Sequence, residues 1–240
     1  MKFVTSHFSF GTGRLGDYDR LFEVFKKSVE MNSPHEIVEL QVTIGHQKGG
    51  HTESVTANHY KMVAWNKYIQ EVDDDCILID CDMMILHDMA EAFEKFDFDV
   101  AITKRNTASI PYNGGVVFVR NTKQAKNFIK LWYECDQQLY NDRRLHARYR
   151  HKYKGMNQAA LGYLLEEKRH QSKLIELPCS IYNAVEQDWK HLDPEQVYAV
   201  HCKAGLKRAV LSSDEVRHLP DEYQIPAQIW RDIEATLDKV

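Results

Sequence analysis

Apolar and polar positions alternate along the chain with two different periods, which predicts strands and helices in turn. Short apolar runs predict strands at 2–7, 37–44, 76–79, 100–103, 116–119, 174–177 and 197–201. Apolar stripes at helical spacing predict helices at about 17–31, 88–96, 157–167 and 226–237. A further helix is predicted to run to about residue 70, with Thr56 or Asn58 as its cap. Asn121 or Thr122 is expected to cap one more long helix. Such alternation predicts an α/β fold whose sheet is at least partly parallel.

Composition limits the classes of protein that fit this pattern. The 240 residues are 43% hydrophobic and 28% charged, which predicts one domain over 1–240 and excludes a disordered chain. The apolar runs are too short to cross a bilayer, so we expect no transmembrane segment. With 31 basic and 35 acidic residues the net charge is −4, and nucleic acid is not expected as a partner.

The start of the chain and its cysteines both indicate the cytoplasm. Lys2, Phe3, Val4 and Thr5 follow Met1 without the apolar stretch of a secretory signal. The five cysteines are widely spaced and form no Cys-x-x-Cys pair, so neither a zinc ribbon nor a disulfide framework is predicted. We therefore expect a cytoplasmic protein.

Two aspartates follow the continuously apolar segment 76–79. Side chains two positions apart in a strand face the same way, so Asp80 and Asp82 are predicted to project together while Cys81 turns back. Paired carboxylates favour a bound cation, and oxygen ligands suit Mg²⁺ or Mn²⁺. A solvated acidic turn is the alternative, and phosphatases of the haloacid dehalogenase type also place Asp-x-Asp after a strand. The Met83-Met84-Ile85 that follows argues against the phosphatase.

Further short segments stand in a fixed order around this pair. Thr5 and Ser6 end the first strand, and Lys61 lies in the helix ahead of the aspartates. After them come the segments Val100 to Arg105, Tyr112-Asn113-Gly114-Gly115, Asn157-Gln158, and His201-Cys202-Lys203-Ala204-Gly205-Leu206-Lys207.

In this order the motifs resemble those of the retaining glycosyltransferases of the GT-A fold, the group that includes glycogenin and bacterial α-galactosyltransferases. The resemblance runs from Lys2 to about Lys207. It implies a Rossmann-like, mixed but mainly parallel sheet flanked by helices. It also implies a hexosyltransferase-type enzyme that moves a sugar from a nucleotide-diphosphate sugar, most simply a UDP-sugar, to a hydroxyl with retention.

The resemblance assigns a metal and a nucleotide role to matching residues. Asp80, Asp82 and His201 would hold Mn²⁺ or Mg²⁺. The residues that would contact the nucleotide and its diphosphate are Thr5, Ser6, Lys61, Gly205 and Lys207, with Lys203 as a second candidate for the diphosphate. Ala204 departs from the family pattern, which has glycine there, and Arg208-Ala209 replace Pro-Trp.

A second set of residues would face the donor sugar. Arg105, Asn113 and Gly114 lie in the segments that resemble the sugar-binding region, although a tight turn before a strand is the alternative for the Asn-Gly pair. Asn157 and Gln158 would lie at the reacting carbon. Asn157 replaces the family's aspartate, so this position supplies no carboxylate nucleophile, and retention would require front-face attack.

Two other functions remain open at this stage. The Gly-rich segment Gly11-Thr12-Gly13-Arg14-Leu15 has a faint likeness to the pyrophosphate loop of sugar nucleotidyltransferases. The loss of the aspartate at Asn157 would also fit an inactive nucleotide- or glycan-binding module. The acceptor is not encoded in any motif and could be a glycan, a lipid-linked molecule or a protein.

The remaining basic and histidine-rich segments have alternative explanations. Segment 143–154 is rich in cations and has no clear period, so it could guide an anionic acceptor, close over the donor as a lid, or form a solvated loop. Among the 12 histidines, His46, His51 and His59 are expected to be solvated loop residues, because their spacing fits no metal motif.

Overall fold

A mixed six-stranded sheet forms the centre of the molecule. The computed structural model describes residues 1–10, 16–44, 51–107, 109–167, 170–212 and 219–237. The strands are β1 (Lys2–Phe10), β2 (Glu36–Ile44), β3 (Cys76–Asp80), β4 (Met83–Ile85), β5 (Val100–Lys104), β6 (Tyr112–Val119), β7 (Leu174–Pro178) and β8 (Ala199–His201). The sheet order is β2-β1-β3-β6-β5-β7, and only β6 runs antiparallel to its neighbours. The predicted mainly parallel sheet is thereby confirmed.

Helices cover both faces of this sheet. They are α1 (Gly16–Asn32), α2 (Glu53–Glu71), α3 (Glu91–Lys95), α4 (Lys123–Asn141), α5 (Arg143–Tyr153), α6 (Asn157–Glu167), α7 (Cys179–Tyr182), α8 (Ala204–Leu211) and α9 (Gln224–Glu234). No helix within the described ranges has the length and apolar character needed to span a membrane.

The central strand β3 divides the core into two layers. Its side chains alternate between them, with Leu78 in the layer beneath α2, α4 and α6, and Ile77 and Ile79 in the layer on the opposite face. Burial on both faces explains the continuous apolarity of segment 76–79. Two fully buried indoles, Trp65 and Trp132, anchor the first layer with an edge-to-face contact. A rigid strand therefore leads directly to the acidic pair.

The basic segment is a helix, which corrects the expectation of a loop or flexible lid. Asp142 caps α5 by accepting hydrogen bonds from the backbone N–H groups of Arg144 and Leu145, at 2.9 and 3.1 Å. The buried face of α5 consists of His146, Tyr149 and Tyr153. The sequence pattern missed this helix because its buried face carries polar atoms and so has no plain apolar stripe.

Helix starts differ from the sequence expectation at one place and agree at another. Helix α2 begins at Glu53, and its cap is Thr52, whose side chain accepts from Val55 N at 3.4 Å. The expected caps near Thr56 lie one turn too late, because that threonine is already helical and buried. The cap of α4 is Thr122, which is one of the two residues predicted for this position.

Candidate active site

A two-stranded ribbon brings the acidic pair and His201 together. Strand β3 ends at Asp80, the chain turns, and β4 then pairs antiparallel with β8 so that Met83 faces His201. Cys202 N donates to Asp82 O at 2.7 Å, which fixes the turn against the end of β8. The sequence analysis missed β4, because three apolar residues after a turn are too few to show a period. Pairing across more than 100 residues thus places an imidazole beside two carboxylates.

The three side chains are close enough to share one ion. His201 Nε2 lies 3.1 Å from Asp82 Oδ1 and 3.9 Å from Asp80 Oδ2. One ligand atom from each residue lies within 4.8 Å of the others, so together they could hold a metal. Cys81 turns back into the core as expected, and burial, followed by the charges of Asp82 and Asp80, raises the pKa of its thiol. Among the described residues, the group that could hold a metal therefore consists of two carboxylates and one imidazole.

A chain of hydrogen bonds fixes the orientation of the His201 ring. The carbonyl of Asn113 can only accept, so Thr103 Oγ1 donates to it at 2.8 Å and accepts from Asn183 Nδ2 at 3.0 Å. Asn183 Oδ1 is therefore turned toward His201 Nδ1, also at 3.0 Å, and that nitrogen donates. Nε2 is left to face the carboxylates, which is the arrangement that histidine ligands of metals adopt.

Positive groups compensate for the two carboxylates. Burial opposes ionisation of Asp82, but the charge of His201 and its hydrogen bond, with Lys207 and Lys61 further away, lower the pKa of this carboxyl below its usual value. Lys61 donates to Asp80 Oδ1 at 2.6 Å, and its ammonium lies 4.5 Å from the centre of the Trp65 ring. Lys61 is itself only 4% exposed. Asp82 is therefore held in the ionised form that a cation requires, and Asp80 is ion-paired with Lys61.

A cavity of about 410 Å³ opens beside the acidic pair. Its walls include Tyr18, Lys61 and the turn from Asp80 to Asp82. Nearby, Ser6 pairs in register with Asp80 across β1 and β3. The hydroxyls of Thr5 and Ser6 are buried and have no hydrogen-bond partner among the described residues. Buried hydroxyls without partners are unfavourable, so this end of β1 is suited to receive a polar ligand.

The predicted diphosphate residues differ in their surroundings. Lys207 lies on α8, with its ammonium 4.0 Å from the centre of the Tyr18 ring at the cavity wall. Lys203, considered as a second phosphate contact, is paired instead with Glu186 at 3.5 Å. Burial, then the charge of Arg105, lowers the pKa of Lys203. The guanidinium Nε of Arg105 is buried without a partner among the described residues, so this N–H can still donate a hydrogen bond to a ligand oxygen.

The start of α8 explains the glycine that the family pattern has at position 204. Ala204, its first residue, has a φ of 51°, a conformation that favours glycine. Gly205, assigned to ligand binding by the resemblance, lies on the helix with its Cα facing Tyr223: an added Cβ would lie 2.7 Å from that hydroxyl oxygen. The helix thus presents Lys207 while Gly205 allows close packing behind it.

Replacing Ala204 by glycine is expected to stabilise the protein by about 0.5–1 kcal/mol. An alanine in the left-handed region costs about 1–2 kcal/mol, and glycine removes this cost. The greater conformational entropy of glycine in the unfolded chain offsets only part of the gain. Ala209→Gly, in the middle of the same helix, is the matched control and should cost about 1 kcal/mol. Chemical denaturation measures both free energies of unfolding. Equal losses in the two variants would contradict the strain at Ala204.

Two adjacent glycines in β6 make room for polar side chains. A Cβ on Gly115 would lie 2.7 Å from His201 Cε1 and 3.1 Å from Asp80 Oδ2, and a Cβ on Gly114 would lie 2.6 Å from Asn157 Nδ2. Asn113 is buried in the same strand, where its side-chain oxygen accepts from Gly115 N at 3.0 Å. Asn113 and Gly114 are therefore strand residues rather than a turn, and β6 separates the metal side of the site from Asn157.

Asn157 and Gln158 lie at the start of α6, as the sequence predicts. Gln158 Nε2 donates to Tyr112 O at 2.8 Å and to Tyr153 O at 3.3 Å. Since both partners are carbonyls, the amide nitrogen must face them and Oε1 must face the other way. Asn157 is buried, and its side-chain oxygen accepts from Gln158 N at 3.0 Å. The pair is thus held in place by main-chain contacts.

The comparison with known proteins agrees with this geometry. A family model described as nucleotide-diphospho-sugar transferase matches residues 39–209. The chain belongs to this family. It is a glycosyltransferase with the GT-A fold, as the sequence motifs led us to expect. No curated protein matches the sequence significantly.

Solved structures share the fold of this glycosyltransferase at low sequence identity. A glycosyltransferase involved in glycosylation of the major capsid of PBCV-1 has 11% identity and a TM-score of 0.61, with 98% of each chain covered. The galactosyltransferase LgtC, with donor and acceptor sugar analogues, has 13% identity and a TM-score of 0.57 over 98% of this chain and 96% of its own. GlyE from Streptococcus pneumoniae TIGR4 also has 13% identity and a TM-score of 0.57. The match covers 97% of this chain and 59% of GlyE.

Some residues of the transferase site carry no sequence signal. Asn183 orients His201, yet it follows the four-residue helix α7 and belongs to no motif. Tyr18 forms part of the cavity wall from α1, far from the aspartates in sequence. Gly115 could have been found, because a second glycine beside Gly114 is unusual in a buried strand.

The other histidines of this transferase differ from the expectation of solvated loop residues. His59 is buried in α2, bonds to Asp136 through Nδ1, and stacks on Tyr140 with ring centres 3.8 Å apart. Burial, opposed by the hydrogen bond with His59, raises the pKa of Asp136 to about 6. His51 also stacks on Tyr140. His46 and the segment Gly11 to Leu15 lie outside the described residues. The expectation failed because this end of α2 packs against α4, whose Asp136 and Tyr140 contact the two imidazoles.

Proposed function

We propose that this glycosyltransferase transfers a sugar from a UDP-sugar to an acceptor hydroxyl, with Mn²⁺ or Mg²⁺ held by Asp80, Asp82 and His201. The observation that carries the proposal is the convergence of ligand atoms from these three side chains within 4.8 Å, with both aspartates at the wall of the cavity. Carboxylate oxygens suit both ions, and the added imidazole favours Mn²⁺. The proposed transferase domain extends over residues 1–240.

In this proposal the chain's own residues bind both the diphosphate and the nucleotide of the donor. A divalent cation supplies positive charge that stabilises the diphosphate as the sugar leaves. Lys207 adds a second positive charge, which is effective because it is already oriented against Tyr18. The unpartnered hydroxyls of Thr5 and Ser6 donate hydrogen bonds to the nucleotide or accept them from it. Two of these groups contact the cavity wall through a neighbour, because Ser6 is in register with Asp80 and Lys207 lies over Tyr18.

Transfer with retention is proposed to follow a front-face path. The acceptor oxygen bonds to the sugar carbon on the side from which the diphosphate departs, and the acceptor proton passes to the departing phosphate oxygen. Gln158 Oε1, which points away from the two carbonyls that bind its amide nitrogen, stabilises the positive carbon. Asn113, Gly114 and Arg105 bind the sugar hydroxyls. This path needs no carboxylate at Asn157.

The acceptor is proposed to be a hydroxyl of a glycan, a lipid-linked molecule or a protein, and the reaction to occur in the cytoplasm. The five cysteines are free and buried, which supports a reducing compartment. Burial raises the pKa of Cys202, with the charge of Asp82 second, so this thiol next to His201 stays protonated. A free thiol is thus compatible with the metal site beside it.

A UDP-specific, Mn²⁺-dependent thermal shift is the expected signature of this function. At a ligand concentration 100 times Kd, binding to the folded state adds about 2.7 kcal/mol, or roughly 5–10 °C in Tm for a chain of this size. UDP, GDP and ADP are compared with and without Mn²⁺. An equal shift with GDP, or a UDP shift that is the same in EDTA, would contradict the donor or the metal respectively.

Product analysis separates transfer from the two other functions. Incubation with a UDP-sugar and Mn²⁺ should release UDP, slowly by hydrolysis and faster with an acceptor. Pyrophosphate formed from UTP and a sugar phosphate would instead indicate a nucleotidyltransferase. UDP binding without turnover of several UDP-sugars would indicate an inactive module.

A further inference from the structure

A second cleft, lined by positive groups, lies between the beginning of α2 and helix α5. Its volume is about 530 Å³. Its titratable lining residues are His51, Arg143, His146, Arg150, His151 and Lys154. The other lining residues carry no charge, so no carboxylate belongs to this wall in the described part of the chain. In this cleft, called the α5 cleft below, the permanently charged groups are therefore the cations of Arg143, Arg150 and Lys154.

The cations of the α5 cleft are not neutralised by the protein. Arg143, Arg150 and Lys154 are exposed and form no ion pair with any residue that the structure describes. The nearest carboxylate in sequence, Asp142, is already used to cap α5. Glu53, at the start of α2, lines the donor cavity and not this cleft. Positive charge is therefore available to a ligand.

The buried imidazole in this cleft responds to that charge. His146 Nε2 lies 3.3 Å from Gly155 O, and its pKa is lowered. Burial is the main cause, the hydrogen bond to Gly155 acts in the opposite direction, and the charges of Arg150 and His51 lower the pKa further. An anion in the cleft would offset these charges and raise the pKa of His146.

The α5 cleft adjoins the proposed transfer site on two sides. Thr52 lines the cleft, whereas Ser54 and Asn58 on the same helix line the donor cavity, so the first turns of α2 separate the two spaces. On the other side, α5 is connected to the sugar-facing residues, because Tyr153 O accepts from Gln158 Nε2. Helix α5 therefore lines the cleft with its cations and contacts the sugar-facing Gln158 through its last residue.

We propose that the α5 cleft binds a phosphate group of the acceptor. The inference rests on the proposed transfer to an acceptor hydroxyl. A phosphate carries more than one negative charge and several acceptor oxygens, which fits two guanidinium groups that can each donate two hydrogen bonds. The phosphate comes either from a soluble sugar phosphate or from a lipid headgroup. In both cases the same cations of α5 recognise it.

Binding of inorganic phosphate to matched variants tests the cleft directly. The double variant Arg143→Gln/Arg150→Gln removes two cations that line it. The control Arg144→Gln/Arg148→Gln removes two cations from the same helix that do not line it. With EDTA present, the His146 resonances are titrated by NMR and assigned by their loss in His146→Asn. Phosphate should raise the pKa of His146, with binding about tenfold weaker in the first variant than in wild type or control.

Two further measurements identify the source of the phosphate and separate this inference from the transfer itself. Sedimentation with phosphatidylglycerol or phosphatidylcholine vesicles distinguishes the sources: binding to the anionic vesicles that is lost in Arg143→Gln/Arg150→Gln indicates a lipid, and no vesicle binding indicates a soluble phosphate. Hydrolysis of a UDP-sugar by the wild-type enzyme without acceptor tests the proposed function alone. Equal phosphate affinity in the two double variants would overturn the α5 cleft as a phosphate site.

Discussion

Replacing Asp82 by asparagine is expected to lower Mn²⁺-dependent hydrolysis of a UDP-sugar by at least about 100-fold. The substitution keeps the size of the side chain but removes the charge that lies 3.1 Å from His201 Nε2. One hard anionic ligand is then lost from a set of three. Release of UDP at saturating donor, with Mn²⁺ varied, measures the effect.

Two controls show that the loss is not caused by unfolding or by a general change of charge. Asp97→Asn removes the same charge from an exposed ion pair with Lys173 and should leave activity unchanged. The Tm of Asp82→Asn without metal should stay within a few degrees of wild type, because Asp82 is only part-buried and the lost attraction to His201 is partly offset by the lost repulsion with Asp80. If wild-type activity in EDTA equals activity with Mn²⁺, the metal role is wrong.

Replacing Gly115 by alanine is expected to weaken Mn²⁺ binding by about 10–100-fold. The added methyl would lie 2.7 Å from His201 Cε1 and 2.9 Å from Nδ1, closer than side chains pack. The backbone of His201 is held by pairing of β8 with β4, so the ring must rotate and give up its hydrogen bond to Asn183. Mn²⁺ affinity is measured by the loss of the free-ion signal in electron paramagnetic resonance.

The neighbouring Gly114→Ala variant is the matched control. Its methyl meets Asn157 Nδ2 at 2.6 Å and leaves His201 untouched. Gly114→Ala should therefore bind Mn²⁺ as wild type does while sugar transfer falls. Equal loss of Mn²⁺ affinity in both variants would indicate a general distortion of β6, and normal affinity in Gly115→Ala would show that His201 is not a ligand.

Elements with a dense apolar pattern were predictable from the sequence. Helix α6 has the bounds that its pattern predicts, and β3 exceeds its prediction by one residue, because burial dictates their apolar positions over several turns or on two faces. Short or mixed elements were missed. Strand β4 has three residues, and the buried face of α5 contains His146 and two tyrosines, so neither has a period that stands out.

The chemistry of the site divides in the same way. Asp80 and Asp82 could be predicted because the alternation of a strand is a local property. The motif order pointed to His201, but its tautomer depends on Asn183, which is brought there by the packing of α7 and β8. The charge of the basic segment could be predicted from its sequence, but its helical conformation could not. Only the fold shows that Arg143 and Arg150 line a cleft, whereas Arg144 and Arg148 do not.

By itself, the sequence determined the α/β class, the acidic pair at the end of β3 and the family resemblance. These depend on local periodicity and on residue types in fixed order. The tertiary structure decided which distant groups meet: His201 beside Asp82, Gly115 beneath the imidazole, and α5 beside the first turn of α2. Such contacts follow from strand pairing and helix packing between segments far apart in the chain, and a one-dimensional pattern does not contain them.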